Sequence, residues 1–240
     1  MSEQKTAIVT GASRGIGHAV AERFRSLGWR VITVSRSPIP GGCPRSQEHN
    51  THVCMDLSDL SQIGQMVDTL RPMLGDAKLH ALVNNAGVSP KGPGGSRVNS
   101  LTTDMQTWQE MYNTNFFAPL ALTRGFAREL SNAHGSVVNL CSIAGYRVHP
   151  FAGSAYASSK AALASLTREM ANDMAPLNVR VNAIAPGPIG DTEGMRRLAP
   201  SPEALANAVA TVGQTSLLGS MHVALNAPLG RAPQGRLAPG

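Results

Sequence analysis

The chain has 240 residues, 42% hydrophobic and 4% aromatic, with 21 Lys and Arg against 15 Asp and Glu for a net charge of +6. This length suits one α/β domain with a full core, while scattered basic residues and few stacking aromatics argue against nucleic-acid binding. No apolar run reaches the ~18 residues of a membrane span, and Cys43, Cys54 and Cys141 show no metal-ligand spacing, so neither a membrane nor a metal is expected.

The polar opening, Met1 to Lys5, has no signal-peptide character, and an odd number of thiols fits a reducing compartment; a cytoplasmic protein is expected. From there strand-like and helix-like runs alternate. Residues 6–10 (TAIVT) read as a buried strand, 18–27 as a helix with Val20, Phe24 and Leu27 on one face, and 30–35 (RVITVS) as a second strand, which together make a βαβ unit. Residues 38–50 are turn-rich and read as a loop. A short strand at 52–55 ends at Asp56, a helix is expected at 60–74, and a fourth strand at 80–84. Residues 89–99 hold three glycines and two prolines and predict a mobile loop. A long helical stretch at 104–130, a strand at 136–140, an alanine-rich helix at 155–174 and a strand at 179–184, closed by Pro186-Gly187, complete the pattern. The expected fold is a doubly wound, Rossmann-like parallel sheet in a single domain, with the dinucleotide-binding and catalytic parts in residues 1–200.

The C-terminal stretch, 201–240, reads as an atypical extension. No acidic residue follows Glu203, residues 226–240 are rich in Pro, Gly and Ala, and only 204–212 suggests another helix. A clear seventh strand is missing, and a poorly ordered tail is expected.

Thr10-Gly11-Ala12-Ser13-Arg14-Gly15-Ile16-Gly17 follows the first strand and opens the first helix. Glycines there let the backbone turn tightly beside a pyrophosphate, while the helix N-terminus points free N–H groups at the phosphates. At the end of the second strand, where NAD sites usually carry an acid, stand Ser35 and Arg36. No carboxylate at that position repels a 2′-phosphate, and Arg36 and Arg14 can grip one, so NADP is favoured over the reading of both as solvated surface groups.

Ser142 follows the fifth strand, and Tyr156 and Lys160 stand four apart on the next helix, sharing a face. A neighbouring ammonium is expected to lower the phenol's pKa. The phenol then serves as proton donor to a carbonyl, or acceptor from an alcohol, while Ser142 holds the same oxygen.

On these motifs residues 5–192 resemble the short-chain dehydrogenase/reductase family. The resemblance implies cofactor contacts from Gly11, Ser13, Arg14, Gly15, Ile16 and Gly17 in the TGASRGIG turn, from Asp56 and Leu57 at the adenine, and from Asn85, Ala86 and Gly87 in the Asn84-Asn85-Ala86-Gly87 signature. It implies Ser142, Tyr156 and Lys160 as the active-site trio and Asn115 as holder of a water that joins Lys160 to a proton relay. It places Pro186 and Gly187 beside the nicotinamide, and Ile189 at its carboxamide through the backbone. The family's threonine after this turn falls one residue earlier than Thr192, at Asp191.

The resemblance fails at the C-terminus. Pro228-Leu229-Gly230-Arg231 matches a family segment that normally precedes a helix and a last strand, and here neither follows. A divergent end, a truncated chain and a shifted reading frame all remain open, and with them the expected homo-oligomer, dimer or tetramer. The function these readings converge on is NADP-dependent oxidoreduction of a small carbonyl or alcohol substrate, its pocket formed by loops 89–101 and 187–200. The alternative is a non-catalytic dinucleotide-binding protein; a sugar-nucleotide epimerase shares Tyr-x-x-x-Lys but differs in glycine spacing and length.

Overall fold

The structure, a computed structural model, describes residues 4–38, 51–92, 95–189, 196–197, 199, 201–204, 206–207 and 221–223. Strand β1 (Thr6–Thr10) is buried along its whole length and β2 (Arg30–Ser35) along all but its first residue. Such runs are continuous because layers packed on both faces of a parallel sheet leave no polar side. Strands β3 (His52–Cys54), β4 (Ala81–Asn84), β5 (Ser136–Leu140) and β6 (Arg180–Pro186) complete the parallel set. The order is β3-β2-β1-β4-β5-β6-β7, where β7 (Met221–Val223) runs antiparallel to β6. The order reverses between β1 and β4, and ligands of such sheets bind outside the strands' carboxyl ends at this switch point.

The two-residue period of the strands divides the core. Ile8, Ile32, Leu82, Val137 and Val181 pack with Met66 and Leu70 of α2 (Ser61–Leu70), Leu122 of α4 (Ala118–Gly125) and Met170 of α6 (Ser154–Met174). Val9, Val31, Val83 and Leu140 pack instead with Ala21 and Phe24 of α1 (Gly15–Ser26) and with Trp29. Among the described residues no helix is long and apolar enough to cross a membrane.

Several expectations shift. Helix α1 begins at Gly15 rather than 18, so the glycine turn leads into the helix with no intervening loop. The stretch 104–130 is α3 (Met105–Tyr112), a π-helical turn at Asn113–Phe117, then α4, with a break at Phe126 before α5 (Ala127–Asn132). The stretch 60–74 is α2 followed by a 3-10 turn at Arg71–Leu74, where Pro72 has no N–H to continue an α-helix. Strand β6 runs two residues further than expected, through Pro186.

The missing seventh strand is also corrected. Strand β7 pairs with β6 at Ile184↔Val223, Ala185↔His222 and Pro186↔Met221, so the position beside β6 is occupied. Three residues are too few for an alternating pattern to stand out in a sequence. Of the helix expected at 204–212, residues 204, 206 and 207 are helical; the rest, and the tail at 226–240, lie outside the described residues, as do Cys43, Asp191 and Thr192.

Candidate active site

A cleft of about 700 Å³ opens at the carboxyl ends of the parallel strands. Every residue expected to bind cofactor or act in catalysis lines it, except Gly17 and Asn115.

The phosphate end is shaped by backbone contacts. Gly11 has φ +67°, a left-handed conformation, and a Cβ there would lie 2.8 Å from Ala86 Cα. A Cβ on Gly17 would meet the Gly11 carbonyl oxygen at 2.5 Å, so Gly17 serves the close packing of the helix behind the turn and makes no wall. The turn at Asn85 clamps this loop. Asn85 Nδ2 donates to the Thr10 and Gly11 carbonyls at 2.9 and 3.1 Å, and the Asn85 and Ala86 N–H groups donate to Thr10 Oγ1, both at 3.1 Å. Helix α1 has no side-chain cap and no acid in its first turn, which leaves its N-terminal dipole end available to an anion.

Ser35 turns inward, donating to the Ser37 carbonyl at 2.6 Å beside His52. Arg36 stands at the rim with its guanidinium 4.0 Å from Asp56, and both side chains are exposed. The β2 end is therefore free of a carboxylate in its own sequence but receives one from the second residue after β3. Asp56 also accepts from the Ser58 N–H and hydroxyl, both at 2.9 Å.

At the other end, Ser142 caps a 3-10 turn (Ile143–Gly145), its Oγ accepting from the Ala144 N–H at 3.1 Å. Gly145 lets this turn lie against α6, since a Cβ there would be 2.8 Å from the Ala161 nitrogen. Tyr156 and Lys160 rise from α6 as the four-residue spacing requires. The Ser142 side chain lies near enough to the Tyr156 phenol to oppose the rise in its pKa. Lys160 is buried; its Nζ donates to the Leu140 carbonyl at 2.6 Å and lies 5.9 Å from the Tyr156 ring centroid.

The expected lowering of the phenol's pKa is not what the geometry gives. Burial pushes Tyr156 up from its ordinary value, against the opposing effect of Ser142. The same burial pulls the Lys160 ammonium down to about 8 and lifts the adjacent Cys141 thiol to about 11. Low polarity disfavours whichever form is charged. Lys160 spends its shortest bond on a backbone carbonyl, so its charge does not overcome the desolvation of the phenol.

Asn115 lies behind the wall, fully buried in the π-helical turn. Its side chain accepts from the Val88 N–H at 2.8 Å and donates to the Val88 carbonyl at 3.0 Å and to Ser159 Oγ at 3.1 Å. It thereby fixes the strand β4 exit beside Lys160. Beneath the site a buried polar chain joins α4, β4, β5 and α6: Asn84 Nδ2 donates to Asn139 Oδ1 at 2.9 Å and Thr123 Oγ1 at 3.4 Å, and Asn139 Nδ2 donates to Thr167 Oγ1 at 2.9 Å.

Ser89 and Arg197, in the two loops expected to form the pocket, line the cleft; sequence reasoning missed His149 and Glu110, which line it as well. They carry no motif, and only folding brings them there. The loop 89–99, expected to be mobile, is tied down at its described residues. Lys91 Nζ donates to the Phe151 carbonyl at 3.5 Å, Arg97 Nε to the Ala152 carbonyl at 2.7 Å, and the Ser154 N–H to the Val98 carbonyl at 3.3 Å. Among the described residues no group of His, Cys, Asp and Glu is arranged to hold a metal.

Comparison with known proteins agrees with this geometry. A family model described as short chain dehydrogenase matches residues 5–203. The chain is 52% identical over 211 residues to protein FixR of Bradyrhizobium diazoefficiens, a match spanning 88% of this chain and 74% of that protein. It is 53% identical to an oxidoreductase of the short chain dehydrogenase/reductase family from Brucella ovis, whose crystal structure is a complex with a partially ordered NAD; the two superpose with a TM-score of 0.76 over 86% of this chain and 93% of the other. A second Brucella ovis oxidoreductase structure is 50% identical, with a TM-score of 0.72 over 88% and 91% of the two chains.

Proposed function

Because the chain belongs to the short-chain dehydrogenase/reductase family, we propose that this oxidoreductase uses NADP to interconvert a small carbonyl compound and its alcohol, with Tyr156 as proton donor and acceptor. The observation that carries this reading is the convergence of Ser142, Tyr156 and Lys160 on the cleft that also holds the uncapped helix end and the glycine turn.

The cradle fits a dinucleotide. A side chain on Gly11 or Gly17 would strike the Asn85–Ala86 turn or the Gly11 carbonyl, and the α1 N-terminus offers its N–H groups to a pyrophosphate. Gly11, Ser13, Arg14, Gly15 and Ile16 would face the phosphates, Asp56 and Leu57 the adenine, and Asn85, Ala86, Gly87, Pro186, Gly187 and Ile189 the nicotinamide half. When bound, the nicotinamide supplies or accepts the hydride. The chain supplies the proton. Ser142 Oγ orients the substrate oxygen, and the Tyr156 hydroxyl, kept protonated at neutral pH by its burial, donates to that oxygen as negative charge develops. Lys160, charged below about pH 8, stabilises the phenolate that results. Asn115 acts from behind. Pro119 has no N–H to return to the Asn115 carbonyl four residues earlier, which suits that carbonyl to a water-borne relay that reprotonates Tyr156 through Lys160.

NADP is favoured by Arg36 and Arg14 and by Ser35 in place of an acid. NAD use is the second reading, favoured by the Arg36–Asp56 approach and by the dinucleotide in the Brucella ovis relative. Fluorescence titration with NADPH and NADH separates them. NADPH is expected to bind on the order of tenfold more tightly, with Arg36→Asp erasing the difference; equal affinities in the parent chain defeat the NADP assignment. In the same preparation Tyr156→Phe is expected to bind NADPH normally and to lose about 10²–10⁴-fold of ketone turnover. A cytoplasmic location and a homo-oligomeric state belong to the same proposal, the second to be read by sedimentation.

A further inference from the structure

The half of the cleft beyond Tyr156 has a charge character that proton and hydride transfer do not require. Residues 86–103 and 136–168, which supply much of its described wall, contain no Asp or Glu, and the other described residues there, Pro186, Gly187, Ile189 and Arg197, carry no acid; Asp191 and Glu193 lie outside the described residues. Among the described residues the carboxylates that line the cleft, Asp56 and Glu110, stand at the other end. Asp56 holds Ser58, and Asn113, one turn beyond Glu110, donates to the Ser58 carbonyl at 2.9 Å.

On the substrate side the 149–152 segment is built around His149. Its Nδ1 accepts the N–H groups of Phe151 and Ala152, both at 3.2 Å. Two donors aimed at Nδ1 leave no room for a proton there, so the ring carries its single proton on Nε2 and is a pure donor at that atom. Lys91 and Arg97 grip the carbonyls of the same two residues. Burial first, then the charges of Arg147, Arg97 and Lys91, hold the imidazole below its ordinary pKa, which places all three cations within electrostatic reach of the ring. A second polar atom points the same way. Ser89 lines the cleft, and its Oγ is buried just behind that surface with no hydrogen-bond partner among the described residues. Buried hydroxyls are rarely left so unless a water or a ligand answers them.

We propose that this end of the cleft selects carbonyl substrates that also carry an oxyanion, a carboxylate or phosphate, hydrogen-bonded by His149 Nε2 and Ser89 Oγ in the positive field of Lys91, Arg97 and Arg147. The proposal rests on the oxidoreductase reading above and adds the substrate class. Cations grouped on one side of a concave wall focus their field on the space it encloses, so an anionic substrate is both concentrated and oriented beside the 149–152 segment.

Acetoacetate, levulinate and dihydroxyacetone phosphate are each to be compared with an uncharged partner: methyl acetoacetate, methyl levulinate and dihydroxyacetone. Turnover is followed by NADPH absorbance, and binding to the protein saturated with NADP+ by calorimetry. In at least one pair the charged member is expected to have a kcat/KM on the order of tenfold higher, and the pairs separate carboxylate from phosphate. Arg147 is exposed and its side chain holds no segment of the wall, so Arg147→Glu tests the field without loosening it; the charged-to-neutral ratio is expected to fall at least about fivefold. His149→Asn keeps an acceptor for the Phe151 and Ala152 amides while withdrawing the Nε2 donor, and is expected to raise KM for the charged member more than it changes kcat. Ratios of one or below in every pair overturn the proposal, as does equal or absent calorimetric binding of both members. Charged members that bind without being reduced leave the anion site standing and defeat the reductase reading instead.

Discussion

Lys160 shows how one residue serves chemistry at a cost to folding. Its ammonium is buried, with its pKa near 8 against an ordinary 10.5. Between those values the folded chain binds fewer protons than the unfolded one, so stability rises as pH climbs from about 8 to 10.5, by roughly 3 kcal/mol. At pH 7 both states are protonated and that penalty is present in full. Lys160→Met is therefore expected to be more stable than the parent in urea at pH 7, less the lost bond to Leu140, with the gap closing by pH 10. Catalysis runs the other way. Tyr156 keeps its proton to high pH, so the limit on ketone reduction is the loss of charge from Lys160, and kcat/KM is expected to decline above about pH 8. A profile flat to pH 10 would remove the ammonium from the mechanism. The trio itself was legible because a four-residue spacing on a helix is a local rule. The direction of the Tyr156 shift was not, because desolvation depends on what the rest of the chain packs around the phenol.

The π-helical turn at Asn113–Phe117 makes the same point for an element. A period of 3.6 marks residues 104–130 as helical, and nearly all of them are, yet the pattern cannot show where an extra residue widens the coil. Only Pro119 hints at it. Strand residues such as Ile8 and Val9 were legible because every neighbour buries them, whereas His149 occupies a loop that only the folded chain brings to the cleft. The widened turn places Asn115 where its amide bonds both polar groups of Val88. Asn115→Ala leaves the Val88 N–H and carbonyl without these partners and removes a donor to Ser159. It is expected to cost about 1–3 kcal/mol in urea denaturation and to slow turnover beyond what the remaining folded fraction explains. Asn115→Leu, which fills the space but restores neither bond, is expected to behave the same way. Wild-type turnover in either variant would reduce Asn115 to a packing residue.

At the scale of the whole molecule the decisive feature is how the sheet ends. A parallel sheet that stopped at β6 would present a row of unpaired backbone groups, a template for another chain. The Ile184 carbonyl accepts from the Cys141 N–H on the β5 side, so by alternation the N–H and carbonyl of Ala185 turn toward β7, where Ala185 is paired with His222. Proline at 222 has no N–H to return. His222→Pro removes the donor to the Ala185 carbonyl but keeps the carbonyl that accepts the Ala185 N–H, so it is expected to loosen the pair and lower the protection of the Ala185 amide in hydrogen exchange, to cost about 1 kcal/mol or more for the lost ladder bond, and to raise light scattering with protein concentration as the β6 edge becomes available. Amides of β1 and β4, in the middle of the sheet, are expected to keep their protection, because their partners lie on both sides and do not depend on the edge. An Ala185 amide that exchanges at the parent rate, in a variant that scatters no more light, would mean that three residues of β7 contribute nothing to closing the sheet and that this edge is guarded by other means.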